Sequence, residues 1–316
     1  MSQATSRAAE FDEVEEIIEG LTQPEKMISP KYFYDDRGSQ LFEAITALPE
    51  YYPTETELGI MHDNIDEIVE LIGRQASLIE FGSGSSLKTR VLLEHAKDLA
   101  VYVPVDISED HLLEAASDLR ADFPALEILP VVADFTQPFA LPSPSIMPLR
   151  NVVYFPGSTI GNFTEDAALD LLRVMYQEAG QDGALLIGAD LQKDPEIIER
   201  AYNDSAGVTA EFNLNMLRHL NREFGSDFDL DAFTHSAEYN EDEDRIELRL
   251  VSGKFQRVSI GAEDFSLDKN EAILTEYSHK YTLEGFAEMA AAAGFEVRHV
   301  WTDKDEMFSV QYCVRK

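Results

Sequence analysis

Cysteine is almost missing: Cys313 is the single one in 316 residues, which excludes an internal disulfide framework, and its apolar surroundings read as a small core residue. No apolar run approaches the roughly 18 residues that a bilayer-spanning helix needs. The opening stretch MSQATSRAAEFDEVEE lacks the apolar centre of a signal peptide. Together these absences predict a cytoplasmic protein. Basic residues are scarce as well, 25 against 60 acidic ones, for a formal net charge of −35. A field of that sign repels nucleic-acid phosphates and anionic membrane surfaces, so neither is expected as a partner. The acids are dispersed, at Asp12-Glu13, Glu15-Glu16, Asp63 to Glu70 and Glu241 to Asp244, as on a solvated face. We read them as adaptation to a salty cytoplasm, where a Debye length of about 3 Å at 1 M salt screens self-repulsion. The 7 histidines show no paired ligand spacing, so no metal is expected.

What is present is an apolar fraction of 44%, enough for a large core, and one stretch that organises the rest. Leu78 to Phe81 has a buried-strand pattern; Gly82 and Gly84 allow a tight turn and close approach of a ligand; Ser85 or Ser86 can cap the helix carrying Val91, Leu92 and Leu93. A dinucleotide fingerprint needs a third glycine where Leu87 stands. What remains, Glu80-x-Gly82-x-Gly84, is the acidic and glycine-containing loop used by S-adenosylmethionine (SAM) methyltransferases.

The following strands carry compatible ends. Ala100–Val105 runs into Asp106, 24 residues past Gly82, where a carboxylate can accept from both ribose hydroxyls; the competing reading is a plain N-cap. Leu126–Val132 runs into Asp134 and Phe135, an acid to accept from an adenine amine and a ring to cover the base. Asn151–Phe155 opens into a loop in which Gly157 exposes backbone carbonyls and Asn162 can both donate and accept, suiting an amine or carboxylate; alternatively it is a polar turn before the helix Glu165–Ala179, capped by Thr164. Ligands of open parallel sheets collect at the carboxyl ends of strands, so these signals support one another.

Elsewhere, helices are expected over 8–22 and 56–74, and the tyrosine-rich segment Lys31–Thr54 is either a lid or amphipathic packing at a domain edge. The proline-rich piece Pro138–Pro148 reads as a surface connection. After the strand Gly183–Ala189 the α/β rhythm breaks for about 90 residues, too long for a loop: a long helical region over 197–224, then strands at 233–240, 245–252 and 256–260. The rhythm returns with the helix Thr282–Ala293, Gly294, and strands over 295–301 and 307–314. The predicted fold is α/β, a class I Rossmann-like sheet with helices on both faces and an inserted α+β domain. We assign 57–190 and 280–316 to the cofactor domain, and 1–56 and 191–279 to a substrate domain.

The blocks Phe33–Ser39, Leu48–Thr54, Gly157–Asn162, Ala201–Asn213 and Leu274–Ser278 closely resemble those of the L-histidine Nα-methyltransferase family of ergothioneine biosynthesis, over nearly the whole chain. The resemblance implies SAM as cosubstrate, with contacts from Gly82, Lys88, Asp106, Asp134 and Phe135. It implies that Tyr34 lies beside both cofactor and substrate, that Tyr51, Asn162 and Tyr202 line the amino-acid pocket, and that Glu276 and Ser278 hold the imidazole. It implies three successive methyl transfers to give the betaine hercynine. The expected partner is thus a small molecule, L-histidine, and the protein is expected to be a monomer.

Local chemistry agrees. If the segment is extended, Glu276 and Ser278 share a face, so one can accept from an imidazole N–H while the other pairs with the second nitrogen. Methyl transfer needs an unprotonated amine held in line, so positioning should dominate, with Tyr34 and Asn162 as the candidates nearest the chemistry. Two departures bear on the substrate: Leu248 stands where the family has methionine, and Tyr277 is bulkier than usual. A tryptophan-type amine is therefore the alternative, although an indole offers one N–H and no acceptor to a Glu–Ser pair. A nicotinamide oxidoreductase and a non-catalytic SAM-binding protein are more distant readings.

Overall fold

The structure, a computed structural model, describes residues 13–84 and 87–316. In chain order the described elements begin with a helix at 13–22 (α1), a short strand Lys26–Met27 (β1) and the helices Asp36–Thr46 (α2) and Tyr52–Ile72 (α3). Then follow β2 (Ala76–Phe81), α4 (Leu87–His95), β3 (Val101–Asp106), α5 (Glu109–Asp122), β4 (Glu127–Ile128), β5 (Val131–Val132), β6 (Arg150–Phe155), α6 (Glu165–Ala179) and β7 (Ala184–Asp190). Next come α7 (Pro195–Tyr202), α8 (Val208–Glu223) and the strands β8 (Phe233–Asn240), β9 (Arg245–Ser252), β10 (Gln256–Ile260), β11 (Glu263–Leu267) and β12 (Ala272–His279). The chain closes with α9 (Leu283–Ala292), β13 (Phe295–Thr302) and β14 (Phe308–Arg315).

These elements form two compact units. The first runs to Tyr52 and resumes over Lys193–Ser278; the second comprises Pro53–Gln192 and His279–Lys316.

The second unit is built on a sheet of order β13-β14-β7-β6-β2-β3-β4, with β5 also paired to β3. Its β7, β6, β2, β3 and β4 are parallel, whereas β14 returns antiparallel to β7 and β13 to β14. Every residue of β2 is buried, as expected for a strand covered on both faces. Ile79 and Phe81 pack with α6 and α9, and Ala76 and Leu78 with α3 and α4, so alternation along one strand feeds two helical layers. This is the expected α/β sheet flanked by helices. Thr164 caps α6 by accepting from the Ala167 N–H at 3.3 Å, and Thr282 caps α9 by accepting from the Gly285 N–H at 3.0 Å.

The first unit has a four-stranded sheet, β1-β12-β9-β8, and the hairpin β10-β11. Its core gathers Phe33, Leu41 and Ile45 with Phe212, Met216, Leu217 and Leu220 of α8 and with Leu250 and Ile273 of the sheet.

Several local expectations change. The strand expected over 126–132 is two short pairings, because Pro130 has no N–H to give to the ladder; between them the Leu129 N–H reaches the Tyr102 carbonyl at 3.0 Å. The long helical region expected over 197–224 is divided into two helices. Gly207 takes φ +74°, and the Asp204 carboxylate accepts from the N–H groups of Val208 at 2.8 Å and Thr209 at 2.7 Å, starting α8 afresh. The helix expected over 56–74 begins earlier, at Tyr52, and ends at Ile72. The caps expected for α4, Ser85 and Ser86, and residues 8–12 of the first expected helix lie outside the described residues. No helix among the described residues is long and apolar enough to cross a membrane.

Candidate active site

In the second unit the carboxyl ends of β2, β3 and β5 bring most of the expected cofactor residues together. Gly82 turns out of β2 at φ +70°, its N–H bonded to the Val105 carbonyl at 2.8 Å. A Cβ on Gly82 would lie 3.5 Å from the Phe135 ring, an ordinary contact, so it is the left-handed φ and not the space that favours glycine at this turn. Phe135 is itself set by Phe81 and Phe155, with ring centroids 5.7 and 5.8 Å away. Asp106 ends β3 and accepts from the Ser108 N–H at 2.9 Å. Burial lifts its carboxyl above the usual range, against the opposing pull of N–H groups from Ser108, Ile107 and Gly84. Gly82, Gly84, Asp106 and Phe135 thus surround one strand-end turn. Asp134 is exposed, and its carboxylate is oriented by the Thr136 N–H at 2.9 Å and hydroxyl at 2.6 Å.

Glu80, the acid of the loop pattern, faces elsewhere. It is 2% exposed and accepts from the Thr89 hydroxyl at 2.7 and 2.8 Å and from the Tyr102 hydroxyl. Burial pushes its carboxyl up to about 7. It braces α4 and β3 against β2.

Lys88 and Gly157 meet through a residue that sequence reading passed over. Glu57, fully buried on α3, pairs with the Lys88 ammonium and accepts from the Gly157 N–H at 2.9 Å. Gly157 takes φ +82°, and a Cβ there would lie 3.4 Å from the Lys88 nitrogen. Gly188 of β7 is open for the same carboxylate, since a Cβ on it would fall 2.4 Å from the Glu57 Oε1. In sequence Glu57 is one acid of an acid-rich helix, and nothing in its spacing separates it from solvated neighbours. Past Gly157, Ser158 is left-handed at φ 58° and its Oγ accepts from the Asp190 N–H at 2.9 Å. A 3-10 turn, Thr159–Asn162, then presents Asn162, which is half-buried.

In the first unit the other expected residues form a second group. Tyr34, 40% exposed, packs edge-on to Phe42 at 5.9 Å; Phe42 packs on Tyr51 at 6.5 Å; Tyr51 packs edge-on to Tyr202 at 5.9 Å. The tyrosine-rich segment and the end of α7 are therefore one aromatic chain. Leu248 is buried in the cluster that holds Tyr202, Ala237 and Ile246, with Tyr51 and Tyr52 against it. On β12, Glu276 and Ser278 are buried while Tyr277 between them is half-exposed, so the extended strand does put the carboxylate and hydroxyl on one face. Tyr277 stacks outward against the Arg245 guanidinium, 4.7 Å from its centroid. Its bulk is thus spent away from that face.

The turn at Gly82 is shaped for a nucleoside: a glycine under an aromatic ring, with a partly buried carboxylate one strand over. The group on β12 sets a carboxylate and a hydroxyl side by side.

Comparison with known proteins gives the family. Residues 13–315 match the family described as histidine-specific, SAM-dependent methyltransferases. A histidine N-alpha-methyltransferase of Mycolicibacterium smegmatis is 41% identical over 302 residues, 94% of this chain and 92% of that protein. One of Mycobacterium tuberculosis is 38% identical over 306 residues, covering 95% and 94%. Ergothioneine biosynthesis protein 1 of Neurospora crassa is 29% identical over 278 residues, which are 86% of this chain and 31% of that longer protein.

Proposed function

The chain belongs to the histidine-specific, SAM-dependent methyltransferases, and from that premise we propose that it methylates the α-amine of L-histidine, in three successive transfers to the trimethylated betaine, within ergothioneine biosynthesis. The observation that carries the substrate is the pairing of buried Glu276 and Ser278 on one face of β12. A neutral imidazole has one N–H and one bare nitrogen, and a carboxylate with a hydroxyl satisfies both. An indole offers one N–H and no acceptor, so it matches a carboxylate and hydroxyl pair less well than an imidazole does.

We assign Gly82, Gly84, Lys88, Asp106, Asp134 and Phe135 to SAM. The glycine turn beside Phe135 suits an adenosine, with the ring to cover the base, and Asp106 supplies the acceptor that a ribose needs. Bound SAM supplies an electrophilic methyl group on a sulfonium. The residues of this chain have the complementary task of holding an unprotonated amine in line. Tyr34 and Asn162 are assigned to the amine and its carboxylate, with Gly157 offering backbone groups. Tyr51, Tyr202 and Leu248 form the walls that confine the side chain. The amine must shed a proton before each attack, and we assign no side chain as general base; the proton leaves to water. We further propose that the protein acts as a cytoplasmic monomer on this small molecule.

Calorimetric titration of the protein with L-histidine, L-tryptophan, SAM and NAD tests the reading. Histidine and SAM should bind, and tryptophan and NAD should give no saturable heat. Tryptophan binding more tightly than histidine would replace the substrate.

A further inference from the structure

Behind the residues assigned to the amino acid lies a buried polar chain that neither binding nor transfer uses. Asn213, on α8, and Thr275, on β12, are fully buried. The Thr275 hydroxyl donates to the Asn213 Oδ1 at 2.7 Å, with the Leu248 carbonyl a second acceptor at 3.0 Å. The Asn213 amide nitrogen sits 2.9 Å from the His235 Nδ1 and 3.2 Å from the Arg249 carbonyl. The His235 Nε2 is 2.9 Å from the Tyr202 carbonyl.

Donor and acceptor roles follow from these partners. The Arg249 carbonyl can only accept, so the nitrogen side of the Asn213 amide must face it, which sets the amide orientation. The other amide hydrogen then points at His235, whose Nδ1 must be bare. The ring is therefore neutral with its proton on Nε2, and that N–H donates to the Tyr202 carbonyl. Burial lowers the pKa of this imidazole, in the direction the geometry requires.

We propose that Asn213 and His235 are positioning residues of the amino-acid pocket, joining the end of α7, with Tyr202, to the strand that carries Glu276 and Ser278. The chain runs from Tyr202 through His235 and Asn213 to Thr275, the residue next to Glu276. A closed set of donors and acceptors permits one arrangement of these elements, whereas an apolar filling would permit several. The inference rests on the assignment of Tyr202, Glu276 and Ser278 to the amino acid.

The test compares His235→Phe, which keeps a ring but no nitrogens, with His235→Gln, which keeps an N–H donor, in the full chain. His235→Phe should raise the KM for L-histidine by about tenfold or more, because small displacements of positioning groups are expensive, and leave the Kd for SAM unchanged. His235→Gln should recover most of that loss. The inference is overturned if His235→Phe folds and leaves KM unchanged, if His235→Gln is no better than His235→Phe, or if SAM affinity falls equally. Should His235→Phe fail to fold, the nearly isosteric Asn213→Asp carries the test: KM should rise, and an unchanged KM overturns the inference. Glu276→Ala, measured alongside, separates the two levels. If it leaves histidine KM unchanged, the pocket assignment fails and this inference with it. If it raises KM while His235→Phe does not, only the positioning role fails.

Discussion

Glu276 and Ser278 carry the substrate assignment, and Glu276 tests it at the level of one side chain. Glu276→Ala should weaken L-histidine binding by about tenfold or more, the loss expected when a charge-assisted hydrogen bond is removed from a buried site, and leave SAM affinity little changed. Equal loss of both affinities, read by calorimetry, would contradict the assignment. Glu80 has a different consequence. The folded protein keeps its proton up to about 7, whereas an exposed carboxyl releases it near 4.5. The folded state thus binds more protons between those values, and stability contributed at this residue falls as pH rises through that window. Glu80→Gln should flatten this part of the stability curve, measured as urea midpoints from pH 5 to about 8; parallel curves for the two proteins would exclude the effect. The same residue marks a limit of sequence reading. An acid two positions before a glycine turn looks like a ligand group, and only Thr89 and Tyr102, 9 and 22 residues away, reveal it as a brace.

At the scale of elements, what was legible in the sequence was whatever is encoded locally. The turn after β2, the capped helices α6 and α9, and the closing β13–β14 pair have their periodicity, caps and glycines within a few neighbouring residues, and the structure places them close to expectation. The break between α7 and α8 was hidden because helical spacing continues across it; Asp204 and Gly207 end and restart the helix through bonds that spacing does not show. β11 is short and acid-rich, so neither pattern nor composition announces it. Glu57 and His235 went unnoticed because their partners lie far along the chain, as do those of Asn213 and Thr275 within the recognised blocks. β7 offers a test of one such partnership. Gly188→Ala would drive the Glu57 carboxylate from the Gly157 N–H and the Lys88 ammonium. It should cost roughly 1–3 kcal/mol of stability, the usual range for overpacking, and weaken SAM binding. An unaltered melting temperature together with unaltered SAM affinity would show that the carboxylate is not needed there.

Across the whole molecule the strongest influence outside the core is the charge of −35. Self-repulsion of that size disfavours the compact state, and salt screens it. The melting temperature should therefore climb from low salt to about 1 M, where the Debye length is near 3 Å; a flat or falling curve would mean that the acids are already compensated locally. Fold class and cofactor follow from the strand-end residues of one unit, and the proposed substrate from the buried face of the other, so no single region states the activity. The most direct measurement is mass spectrometry of L-histidine incubated with SAM and the purified protein. Successive gains of one, two and three methyl groups, on histidine and not on tryptophan, are the predicted result. Methylated tryptophan with unchanged histidine would contradict it.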